Sequence, residues 1–137
     1  QLFNGALLSI KFLNKIGNVN KNYFIFGEEV DLYWRMKKYG KVSSLVTSLH
    51  YHPDVSNRSY SNVKVYYYLK NSIINNFKHM DYVFIRSFLN VIVLLIRIFR
   101  RNGLISLMSF IIGKNYKYFY FSLYRGFKKR LSIDHDE

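Results

Sequence analysis

The stretch Tyr23-Phe24-Ile25-Phe26-Gly27-Glu28-Glu29-Val30-Asp31-Leu32-Tyr33-Trp34-Arg35 decides how this chain is read. Its first four residues are aromatic or aliphatic and predict a short buried strand. Gly27 allows a sharp turn. From Glu28 to Tyr39 the pattern is helical, with Glu28, Glu29 and Asp31 in the first turn, Lys37 and Lys38 in the last, and Gly40 as the stop. That polarity complements the helix dipole. Three of the chain's eight carboxylates fall within these few residues. Carboxylates gathered at a strand-to-helix junction are costly unless a metal, a cation or a substrate hydroxyl uses them.

Working outward, residues 1–10 read as a strand-like segment with Asn4-Gly5 as a tight, exposed backbone point. Lys11 to Ile16 read as a short helix ending at Gly17. Downstream, Lys41 to Tyr51 alternate weakly, as a strand does, until His52-Pro53-Asp54 breaks the run. A polar Ser/Asn loop, Val55 to Asn62, leads into a helix from Val63 to Lys78. Up to residue 80, expected strands thus alternate with helices. After residue 80 the chain changes character. Apolar stretches run from Tyr82 to Arg101, from Leu104 to Ile112 beyond Asn102-Gly103, and from Tyr116 to Leu131, with cations set among them. We therefore divide the chain into a globular part (1–80), a basic, apolar helical part (81–133) and an acidic tail (134–137).

The net charge is +13 over 137 residues, and between Arg58 and Arg130 the single acid is Asp81. Such an excess suits an anionic partner, a membrane surface or a nucleic acid, or else a solvated basic face. No nucleic-acid-binding motif is present, and the apolar stretches suit lipid or a protein core better than a wet phosphate surface. A membrane span needs about 20 mainly apolar residues, and the charges of the last third interrupt every stretch before that length. Two readings of this region stand: helices lying in the membrane interface with cations toward anionic headgroups, or a buried helical hairpin packed on the globular part. The chain has no cysteine, which excludes disulfides and thiolate metal sites.

At the acidic turn, Glu28 or Glu29 could act as general base toward an acceptor hydroxyl, or both could be ordinary first-turn acids. Asp31 and Arg35 are four residues apart on one helical face and can pair. His50 and His52 alternate on the expected strand and share a face. They could ligate a metal together; one could be a core histidine, or a single ligand to a metal held mainly elsewhere.

The order Phe3-Asn4-Gly5-Ala6, Ile16-Gly17, Tyr23-Phe24-Ile25-Phe26-Gly27-Glu28-Glu29-Val30-Asp31-Leu32, Arg35, Gly40 and His52 resembles the C-terminal half of family 2 glycosyltransferases, inverting enzymes of the GT-A fold. Within that family it looks most like the rhamnosyl- and galactofuranosyl-transferase group of surface polysaccharide synthesis. Tyr66-Tyr67-Tyr68-Leu69-Lys70-Asn71 is similar to that group's Tyr-Tyr-x-x-Arg-Asn segment, with Lys70 in place of Arg, and Tyr124-Arg125-Gly126-Phe127 resembles its C-terminal helix ending. The likeness is best over residues 3–76.

The resemblance implies an α/β fold, the C-terminal half of a GT-A domain, followed by basic amphipathic helices. It implies Glu29 as catalytic base, with Glu28 its neighbour, and His52, with His50 as the alternative, beside a divalent metal (Mg or Mn) on the diphosphate of a nucleotide-sugar donor. Asn4, Gly5, Asp31 and Arg35 fall along the substrate side, the last two at positions that are mostly structural in the family. The implied acceptor is a glycan or lipid-linked hydroxyl, and the implied place is the cytoplasmic face of the plasma membrane, peripherally bound. The family's nucleotide-binding half, with its Asp-x-Asp-like motif, is expected before Gln1. The isolated chain is accordingly expected to be inactive without that half. The competing expectation is a non-catalytic, membrane-associated remnant or subunit of a split enzyme.

Overall fold

The computed structural model describes residues 6–43, 47, 51 and 58–131. Among them lie five helices and no strand: α1 (Ile10–Ile16), α2 (Glu28–Tyr39), α3 (Asn62–His79), α4 (Val83–Ile111) and α5 (Tyr116–Phe127). The α/β, GT-A expectation is therefore overturned; the described chain is all-helical.

The reason is visible at Tyr23–Phe26. Instead of extending, this run bends. The Phe26 amide donates to the Phe24 carbonyl at 2.7 Å, and Ile25 takes a positive φ of 65°, a conformation that β-branched residues rarely adopt. The carbonyls that a neighbouring strand would use are taken by side chains of α3. Asn71 donates to the carbonyls of Phe24 (3.3 Å) and Phe26 (2.6 Å), and Asn75 donates to that of Gly27 (2.9 Å). With those acceptors satisfied by amides, the segment has no need of a sheet. Residues 6–9 and 41–43 likewise carry no regular structure. Most of the expected strand from Lys41 to Tyr51, the break at His52-Pro53-Asp54 and the acidic tail lie outside the described residues.

The helices match their sequence signals closely. Ser9 caps α1 by accepting from the Phe12 amide (3.4 Å), and Gly17 follows its last turn. Ser61 caps α3 in the same way, accepting from the Lys64 amide at 3.4 Å, as hydroxyl caps do. α4 is two helical stretches joined at Gly103, whose φ of 82° interrupts the helix. The kink falls where Asn102-Gly103 separates the two apolar stretches. Asn102 fixes it by a two-way bond with the Tyr60 backbone, accepting from its amide and donating to its carbonyl, both at 2.9 Å.

The core is built on α3. Val65, Leu69 and Ile73 recur at helical spacing and are fully buried. They meet Leu94, Ile98 and Phe110 of α4 and Phe119 of α5. Each such side chain contributes about 2 kcal/mol by leaving water. α5 approaches α3 closely at Gly126, where an added Cβ would lie 3.0 Å from Ile73. The core thus draws on elements from both sides of residue 80.

Candidate functional site

α2 carries the acidic segment, and its seat on α3 positions every group in it. Gly27 opens the helix with a φ of 97°. An added Cβ there would lie 3.0–3.1 Å from Asn71, Asn75 and Tyr23. Glycine is the residue that fits this close approach and this backbone angle. The turn is fastened further by the Tyr23 hydroxyl, which donates to the Asn75 side-chain oxygen. Burial, with Asp31 nearby, pushes the Tyr23 hydroxyl far up, so it stays protonated.

Two of the three acids stand together at the start of α2. Glu28 and Glu29 are half-buried. Burial pushes the Glu29 carboxyl above the ordinary carboxylate range, and the neighbouring Glu28 pushes it the same way, against an opposing backbone hydrogen bond. One carboxylate oxygen of Glu28 is buried with no hydrogen-bond partner among the described residues. A half-buried carboxylate with raised proton affinity, as Glu29 has, is chemically suited to taking a proton.

Asp31 turns the other way, into the protein, and is 3% exposed. Three cationic or ring nitrogens converge on it: Arg35 Nε at 3.0 Å, His79 Nε2 at 2.9 Å and Lys78 Nζ at 3.5 Å. Burial alone would raise the Asp31 carboxyl, but the His79 hydrogen bond, Lys78 and Arg35 outweigh it and hold the group below its usual range. Arg35 also donates to the carbonyls of Ile16 (2.8 Å), Gly17 (2.9 Å) and Asn18 (2.9 Å). One buried carboxylate and one guanidinium thereby tie the end of α1, the middle of α2 and the end of α3 together.

The structure thus brings Glu28, Glu29, Asp31 and Arg35 onto one short helix, with the glutamates at its entrance and the Asp31–Arg35 pair holding neighbouring helices. Asn4, Gly5, His50 and His52 lie outside the described residues. Among the described residues no group of three or more His, Asp or Glu side chains is placed to hold a metal ion. The ligands that the resemblance implies for a divalent metal, His52 or His50, are not among those residues. Sequence reasoning missed the hydrogen bonds of the buried Tyr23 and Asn75 and the part that Lys78 and His79 play at Asp31. One signal was available: Asn71 and Asn75 stand four apart inside a helix, where asparagine is unfavourable without a partner.

A second surface lies on α4, whose first stretch divides into three sectors at about 100° per residue. Ser87, Val91, Leu94 and Ile98 face the core. Arg86, Arg97, Arg100 and Arg101 occupy the next sector. Ile85, Phe88, Leu89, Ile92, Ile96 and Phe99 fill an arc of about 100° and are exposed, Phe88 by 65%. α5 also exposes aromatics, among them Tyr120, Phe121 and Tyr124, and Phe84 of α4 stacks on Phe127 of α5 at 6.1 Å between centroids. No helix among the described residues is long and apolar enough to cross a membrane. Set against known proteins, the chain matches no family model, no curated protein and no solved structure.

Proposed function

We propose that this chain is part of an inverting glycosyltransferase of cell-surface polysaccharide synthesis, bound peripherally at a membrane face. The observation that carries this reading is the half-buried Glu28–Glu29 pair at the start of α2, with the proton affinity of Glu29 raised by burial and by Glu28. The acceptor's hydroxyl oxygen would give its proton to the Glu29 carboxylate. The same oxygen then forms the bond to the sugar's anomeric carbon, while the bond from that carbon to the donor's phosphate oxygen breaks and its electron pair leaves on the nucleoside diphosphate. A base with raised proton affinity suits this step, because it accepts the proton more completely as the oxygen attacks. The exposed apolar and basic sectors of α4 support a membrane location, where a lipid-linked acceptor would be met.

The test is Glu29→Gln introduced into the gene in its own cell, with sugar transfer measured on isolated membranes supplied with labelled nucleotide sugars. Loss of the base is expected to lower transfer about a hundredfold. Transfer within a few-fold of the unaltered membranes would remove Glu29 from the chemistry. A second reading, a non-catalytic membrane-associated chain, is favoured by the exposed apolar arc of α4, and it predicts that outcome together with unchanged membrane binding.

A further inference from the structure

A cleft of about 810 Å³ opens where the end of α1 and the C-terminal ends of α2 and α3 meet, at the opposite end of α2 from the glutamate pair. Its cations are Lys15, Arg35, Lys37, Lys38 and Lys78, with His79 beside them; Asp81 is the one acid on its lining. Asp31, behind the wall, already engages Arg35, Lys78 and His79. Among the described residues no carboxylate stands within ion-pairing distance of Lys15, Lys37 or Lys38. The C-termini of α1, α2 and α3 each present about half a negative charge here. Setting the three helix ends, Asp31 and Asp81 against the five Lys and Arg side chains still leaves about one and a half positive charges in one concave site. Helix-end neutralisation alone does not account for that excess.

Two further features say where the neutralising anion comes from. Trp34, the chain's single tryptophan, lines the cleft with Lys37 stacked over its ring at 5.1 Å. Tryptophan beside a cation is the pairing found at headgroup level in membrane proteins. The lining also ends at Met80 and Asp81, and Tyr82, Phe84 and Ile85 follow at once as the exposed start of the α4 apolar face. The cationic cleft and the apolar face are thus neighbours along the chain.

We infer that this cleft binds the phosphate of an anionic phospholipid headgroup, with the lipid's acyl part against the adjoining α4 face. The inference rests on the membrane location proposed above and adds a specific headgroup site to it. The cleft anchors and orients the chain, and takes no part in the chemistry at Glu29.

Binding of the chain to vesicles by flotation tests this, using phosphatidylcholine alone and phosphatidylcholine mixed with phosphatidate. Lys37 and Lys38 are exposed, so Lys37→Gln with Lys38→Gln leaves the fold intact, and Lys15→Gln is the independent second variant. The double variant is expected to bind the mixed vesicles about thirtyfold more weakly, taking roughly one kcal/mol for each lysine near an anionic surface, and to bind phosphatidylcholine alone as the unaltered chain does. Unchanged binding of the double variant and of Lys15→Gln to mixed vesicles would overturn the site. Phe88→Gln with Ile92→Gln should weaken binding to both kinds of vesicle; if it does not, the membrane face fails separately from the cleft. Binding of inorganic diphosphate without binding of either vesicle would assign the cleft to a soluble phosphate and overturn the lipid assignment.

Discussion

The two seams of α3 are held by different physics. Toward α4 and α5 it presents the fully buried Val65, Leu69 and Ile73, and the seam is mainly apolar, with a buried hydrogen bond from Asn76 to the Ser87 hydroxyl at 3.1 Å. Toward α2 it presents Asn71, Asn75, Lys78 and His79, and beside the buried Leu32 and Met36 of α2 the seam carries directed bonds to carbonyls and to one carboxylate. Apolar burial is non-directional and spreads over many contacts, so it resists the loss of any one geometry. A polar seam depends on each partner, because removing one leaves the other buried and unsatisfied. The α3–α5 unit is thus the scaffold, and α1 with α2 is a polar attachment that carries the candidate chemistry.

The comparison can be broken most forcefully in the core. Phe110→Ala should cost about 4 kcal/mol and lower the urea midpoint of the whole chain; a loss under about 1 kcal/mol would mean the apolar seam is not the scaffold. Asp31→Ala comes next, at about 3 kcal/mol, since it takes the buried acceptor from Arg35 Nε and His79 Nε2. Its effect should be local: amide exchange protection disappears across α1 and α2 while α3, α4 and α5 keep theirs. Uniform loss would show that the two seams are one cooperative unit. Gly27→Ala should cost about 2 kcal/mol, from the positive φ and the tight contacts with α3, and should be read by the same exchange experiment at α2.

The smallest effect is in pH. Asp31 has a lowered carboxyl, so its contribution is complete above the ordinary carboxylate range, near about pH 4, and is lost as pH falls through its folded value. Glu29 has a raised carboxyl, so its contribution is complete below that range and is lost as pH rises through its folded value. Exchange at α2 followed against pH should therefore show an acid limb from Asp31 and a limb toward neutrality from Glu29. Glu29→Gln should flatten the second limb and leave the first; if both limbs persist, the coupling belongs to another group.

Much of this was legible in the residues. The α2 limits, its first-turn acids and the Asp31–Arg35 pair follow from spacing alone, as do α3 from its apolar period and the break at Asn102-Gly103. The strand at Tyr23–Phe26 did not survive because a four-residue apolar run has no period of its own, and the groups that bend it come from Asn71 and Asn75, far along the chain. The Lys41–Tyr51 strand had only weak alternation behind it. The same blindness hid the Asp31 site: Arg35 is four residues away, whereas His79 is 48 residues away.

By itself the sequence determined the helices, the glycine stops at Gly17 and Gly40, the uneven positive charge and the crowding of acids before Val30 and Leu32. These depend on neighbours within a turn or two, where spacing is geometry. Tertiary structure alone decided that the apolar run would bend instead of pairing, that Asp31 would face inward while Glu28 and Glu29 stayed at the entrance, and that cations from α1, α2 and α3 would share one cleft. Those outcomes depend on which distant side chain reaches a buried polar group first, and a buried polar group takes whatever partner the packing brings to it.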